Sequence, residues 1–169
     1  MSLTSYLFRA TWTINASPDA VFAAVVDVAS YPRWWPDVRS VRPCDDDSGA
    51  NDSGANDNGA NDSGGADTDT ALLVCRSTLP LPITVRMRRV EQNRPAGRVA
   101  VALTGDLEGI LTGLVLAEDG TRLEITQRVV VRTRLLRSLS LVAHPLLRVN
   151  HAMMMRRGLR GLRAHVDSG

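Results

Sequence analysis

Lysine is absent from this 169-residue chain, so all 20 of its basic residues are arginine. Aromatic residues are scarce, at 4%, and there are only two cysteines, Cys44 and Cys75. No run approaches the roughly 18–20 apolar residues that a membrane-spanning helix needs. The opening stretch, MSLTSYLFRATW, has no charged n-region, apolar h-region or small-residue cleavage site, so no secretory signal is read. Two cysteines without an export signal point to free thiols in a reducing cytoplasm. They flank an unusual segment, so a bridge between them stays open. What is present is 44% hydrophobic with mixed charge, as expected of one soluble domain spanning residues 1–169 and long enough to bury a core.

The formal charge of +2 hides an asymmetry. Residues 45–70 hold eight aspartates and no arginine, leaving 20 arginines against 10 acids elsewhere. The body is therefore basic, which admits acidic ligands or an anionic membrane surface as partners. Nucleic acid is not expected, because the basic runs are pairs such as Arg88–Arg89 and Arg156–Arg157 and no DNA- or RNA-binding signature accompanies them.

Residues 48–67 read SGAND, SGAND, NGAND, SGGAD, four copies of a five-residue unit. Such a segment offers nothing apolar to bury, so ordering it would cost backbone entropy with little return. The expectation for residues 45–70 is a disordered loop inserted between strands. Closure entropy grows only logarithmically with length, so the insertion is cheap. Its aspartate spacing matches neither an EF-hand nor a glycine-rich calcium repeat.

The remaining sequence divides by periodicity. SYLFRATWTIN alternates as a strand does. ASPDAVFAAVVD reads as a helix with Ser17 as N-cap, Pro18 in the first helical position and Asp19 against the N-terminal dipole. Val21, Phe22 and Val25 form its apolar stripe. YPRWWP follows as a short helical turn. Six runs rich in Val, Leu, Ile and Thr come next, at 38–43, 71–79, 83–92, 98–104, 107–117 and 121–133. Turn residues such as NRPAG, TGD and EDG separate the later ones, implying an antiparallel meander. Residues 139–166 are helical in pattern, with Pro145 at a start or kink. Ala152, Met155, Leu159, Leu162 and Val166 make one face; Arg156, Arg160 and Arg163 line another. The expected fold is α+β: an antiparallel sheet of about seven strands wrapped around a long C-terminal helix, with two short helices after the first strand.

WTINASPDAVFAAVVDVASYPRWWP, at residues 12–36, resembles the opening of the START-like superfamily, in its polyketide cyclase/dehydrase (SRPBCC) branch. GDLEG at 105–109, DGTRL at 119–123 and NHAMMMRRGLRGLR at 150–163 resemble the matching later segments. The resemblance implies the helix-grip fold and a large apolar pocket between sheet and C-terminal helix. Members include lipid and hormone carriers and aromatase/cyclase enzymes, so fold locates the site and leaves the activity open.

Helical geometry turns Met155 and Leu159 towards the sheet, with Met154, Gly158 and His151 on the adjoining flank. Methionine suits adaptable ligand surfaces, though the run also serves as ordinary core. Gly109 and Gly113 share a strand face with Leu107, Leu111 and Val115, leaving room for a ligand or for close helix packing. Tyr31, Trp34 and Trp35 fall together in any helical turn, and the resemblance puts them near the start of the C-terminal helix. One tryptophan is expected to pack as core and the other to cover the cavity mouth, against the alternative that both plug the first helix.

Catalytic signals are thin. There is no GxSxG elbow, HExxH pair or cysteine–histidine cluster. His144, His151 and His165 lack metal-ligand spacing, so neither metal nor cofactor is expected. A cyclase would have to hold a reactive poly-carbonyl chain in a folded pose and move protons. His151 and Glu108 are the candidate acid/base groups, each with a plain structural alternative. Three readings result: a carrier or sensor of a hydrophobic small molecule, a polyketide cyclase, aromatase or dehydratase using the same cavity, and a peripheral module whose arginine face meets anionic lipid or a protein.

Overall fold

Alternation along SYLFRATWTI puts Tyr6, Trp12 and Ile14 on one buried face of strand β1, Ser5–Ile14. The computed structural model describes residues 5–44, 69–76, 82–132 and 140–169, with the side chains of 140–144 excepted. The repeat segment, apart from its last two residues, lies outside the described residues, as do 77–79 and 133 of the expected strands and the side chain of His144.

Helix α1, Pro18–Val26, starts as its sequence dictates: the Ser17 hydroxyl accepts a hydrogen bond from the Ala20 N–H at 3.2 Å. Its buried residues are Val21, Phe22 and Ala24. Val25, expected in that stripe, is half-buried, because the end of α1 turns over the interior space described below. A single 3-10 turn, Val28–Ser30, leads into α2, Tyr31–Trp34.

The other strands are β2 (Val38–Pro43), β3 (Thr70–Cys75), β4 (Ile83–Asn93), β5 (Arg98–Gly105), β6 (Leu107–Glu118) and β7 (Gly120–Val131). Among the described residues they form one seven-stranded sheet in the order β1-β7-β6-β5-β4-β3-β2. Every pairing is antiparallel. Strands β2 to β7 run as the expected meander, and α1 and α2 carry the chain across from one sheet edge to the other. Register shifts between Val38 and Ser40 and between Arg89 and Glu91 bend the sheet. In the NRPAG turn Gly97 has φ +64°, and a Cβ there would run into the Val115 carbonyl, so the turn requires glycine.

Helix α3, Ser140–Asp167, lies against the inner face of the sheet, completing the helix-grip arrangement. Pro145 falls inside it, within the first two turns. Met155 and Leu162 are buried, with Leu159 and Val166 half-buried beside them. Ala152, expected on that face, is exposed. The residue taking the inward place one turn before Met155 is His151, so the inner face is polar there. Arg156, Arg160 and Arg163 line the outer side as expected. Arg163 also ties the last turns to β1, donating to the Thr13 carbonyl from Nε at 3.0 Å and Nη2 at 2.6 Å.

Candidate functional site: a cavity between sheet and C-terminal helix

Inward positions of a strand recur every second residue, and here they are almost all aliphatic: Val99, Val101 and Leu103 on β5; Leu123, Ile125 and Val129 on β7. Between this surface and α3 lies a cavity of about 220 Å³. Among the described residues its lining contains no Asp or Glu and a single arginine, Arg89, which sits 3.6 Å from Asp69. Among the described residues no group of three or more His, Cys, Asp or Glu side chains comes together as metal ligands would.

Polar groups gather where α3 meets β1 and β7. Gln127 occupies an inward position of β7 that its neighbours fill with aliphatics, and its Oε1 lies 3.1 Å from His151 Nε2. The His151 ring stacks on Phe8 with centroids 3.9 Å apart. Burial pushes the His151 pKa down to about 4, so the imidazole is neutral at pH 7. Beside it, Asn150 is buried; its Nδ2 lies 3.8 Å from Met154 Sδ and its Oδ1 has no partner among the described residues.

The tryptophans build a different kind of wall. Trp34 donates to Ser30 Oγ at 3.1 Å, Tyr31 Oη donates to the Val25 carbonyl at 2.6 Å, and Trp35 donates to the Met154 carbonyl at 3.2 Å. The two indoles lie 5.6 Å apart, and Trp12 meets Trp35 edge-on at 5.9 Å. On α3, Gly158 and Gly161 make the notch that receives them. A Cβ on Gly158 would stand 2.7 Å from Trp35 Cε2, and one on Gly161 would strike the Trp34 carbonyl. The pair therefore sits beside residues 154–161, well past the helix start where it was expected, because only these glycines let α2 approach closely. Asp37, 2% exposed, reinforces the joint through Arg157 at 2.9 Å. Burial, with the Asp37 carboxylate adding to it, raises the Cys75 thiol to about 11, so Cys75 is no thiolate nucleophile at neutral pH.

Of the residues singled out in the sequence, Trp34, Trp35, Leu111, Gly113, His151, Met154 and Met155 come together on the cavity wall. Three do not. Glu108 is half exposed on the outer face of the sheet, paired with Arg132. Leu159 packs with the buried cluster around Trp34 and Leu162. Gly109 is a close-approach glycine, since a Cβ would strike the Arg128 carbonyl on β7. Sequence reasoning passed over Gln127, Asn150, Asp37 and Gly161. Only Gln127 carried a signal, as the polar residue in phase with Leu123, Ile125 and Val129.

A family model described as "Polyketide cyclase / dehydrase and lipid transport" matches residues 14–134. No curated protein matches the sequence. A protein from Thermus thermophilus superposes with TM-score 0.72 at 16% identity, covering 96% of this chain and 98% of its own. The Zhui aromatase/cyclase from a Streptomyces species superposes with TM-score 0.68 at 16% identity, covering 97% and 94%. A START superfamily protein from Mycobacterium smegmatis does so with TM-score 0.66 at 13% identity, covering 96% and 97%. At these identities the likeness is one of fold.

Proposed function

This chain belongs to the polyketide cyclase/dehydrase and lipid transport family, and from that premise we propose that it holds a hydrophobic small molecule, lipid- or polyketide-like, in its cavity as a carrier or sensor. The observation that carries this reading is the lining: among the described residues it is aliphatic and aromatic except for a small neutral polar end at Gln127, Asn150 and His151, with no carboxylate and one arginine already beside an aspartate. Such a surface rewards apolar length. Each buried methylene contributes about 0.8 kcal/mol, or about a fourfold gain in affinity. A homologous series of n-alkyl probes checks this, and affinity that stays flat with chain length would overturn it. Native mass spectrometry of protein purified from its own host should show a co-purified apolar ligand. Free thiols at Cys44 and Cys75 fit the reducing cytoplasm expected for it.

One observation favours a second reading, cyclase or dehydratase chemistry in the same cavity. A neutral histidine faces the enclosed space and can accept a proton from a folded poly-carbonyl chain. Its depressed pKa makes it a weak base, which is why the carrier reading stands first. If His151 is the base, His151→Ala should lower turnover of such a substrate roughly 10²–10⁴-fold. The exposed Arg156 and Arg160 keep contact with anionic lipid as a third reading, tested by salt-sensitive vesicle binding.

A further inference from the structure

We propose that the ligand of this cavity ends in a neutral hydroxyl group, which donates a hydrogen bond to Asn150 Oδ1. This deepens the ligand-binding reading and rests on it. Asn150 lines the cavity and is only 6% exposed. Among the described residues its amide nitrogen has only the thioether of Met154 within reach, at 3.8 Å. Its carbonyl oxygen is buried and, among the described residues, unpartnered. Buried side-chain oxygens in folded proteins nearly always have a donor. The neighbouring polar pair does not supply one: the neutral His151 has a single ring N–H, which Gln127 Oε1 accepts at 3.1 Å, and the Gln127 amide makes no hydrogen bond to Asn150 Oδ1.

The chemistry of the surroundings selects the donor. An ammonium end would enter a cavity whose lining, among the described residues, has no carboxylate to neutralise it. A carboxylate end would set its lone pairs against those of Asn150 Oδ1, beside an imidazole that is uncharged at pH 7. The one cation in the lining among the described residues, Arg89, is already 3.6 Å from Asp69. Ether and ester oxygens accept but cannot donate. A hydroxyl satisfies the oxygen without bringing a charge into the apolar space, and its own oxygen can still accept.

The experiment is displacement of a neutral apolar fluorophore, N-phenyl-1-naphthylamine, at pH 7 by three competitors that share an unbranched ten-carbon chain: 1-decanol, its methyl ether 1-methoxydecane, and decanoate. In the wild-type protein decanol should compete about tenfold better than the ether, although the ether is the more apolar molecule. Asn150→Leu should bring that ratio to about one while the fluorophore still binds. Wild-type protein that prefers the ether or binds both equally overturns the proposal, as does a ratio unchanged by Asn150→Leu. Decanoate as the best competitor would also overturn it, pointing to Arg89. The wild-type comparison decides the matter even if the variant does not fold. Failure of the fluorophore to bind wild-type protein would instead overturn the cavity reading beneath it.

Discussion

The two ends of the cavity are built by opposite rules. At the tryptophan end every polar atom of the three rings has a partner: Trp34 on Ser30, Tyr31 on Val25, Trp35 on Met154. Glycines at positions 158 and 161 bring helix and rings into van der Waals contact. At the histidine end a polar cluster sits among aliphatics, Asn150 Oδ1 has no partner among the described residues and burial lowers the His151 pKa to about 4. At the first end the chain satisfies the ring polar atoms, although Asp37 keeps one buried oxygen without a partner among the described residues; at the second, the open acceptor lies on the cavity wall. Stability should therefore reside at the first and ligand response at the second.

The largest effect that could break this contrast is at Trp34. Trp34→Ala should cost about 3–5 kcal/mol, read as a fall in the urea midpoint, because a ring only 6% exposed leaves a void among fixed neighbours. His151→Ala should cost far less, and equal losses would abolish the distinction. Next comes Gly161→Ala. Helix propensity alone favours alanine by about 1 kcal/mol. Contact with the Trp34 carbonyl should reverse that sign and leave a net loss of about 1–3 kcal/mol. A stabilised variant would show that the joint has slack.

A smaller effect lies in pH. The His151 pKa falls from an ordinary value near 6.5 to about 4 in the folded state, so between these values the unfolded chain binds the extra proton. The contribution of His151 is undiminished above about pH 6.5 and is lost progressively as pH falls towards 4. Melting curves of wild type should decline across that window more steeply than those of His151→Gln. Parallel curves would mean that His151 is not buried as described. The smallest effect is optical. In variants whose other tryptophans are replaced by Phe, 1-decanol should shift the emission of Trp35, which is half-buried, more than that of the more deeply buried Trp34. If neither responds while decanol displaces the naphthylamine, the rings serve packing alone.

Much of the architecture could be read from one-dimensional patterns, because strand alternation, the Ser17–Pro18 helix start and the glycine turns are local consequences of covalent geometry. The Trp34–Trp35 pair and His151 were visible for the same reason: rare side chains stand out in a chain with few aromatics and three histidines. Glu108 misled, since a carboxylate in a strand has no mark of which face it takes until the register is known, and here it faces outward to Arg132. Ala152 misled because a helical wheel permits more than one inward arc.

Local order, then, belongs to the sequence: which segments alternate, where helices begin and where the chain turns are set by neighbours within a few residues. Tertiary structure decided what those elements mean. Gly158 and Gly161 are two weak helix formers in the sequence and become the seat of a tryptophan pair more than a hundred residues away. Gln127 and Asn150 are ordinary as letters and become the polar end of a cavity only because β7 and α3 face each other. Burial, and with it the neutrality of His151, is a property of packing across the sheet and helix, which no stretch of sequence contains by itself.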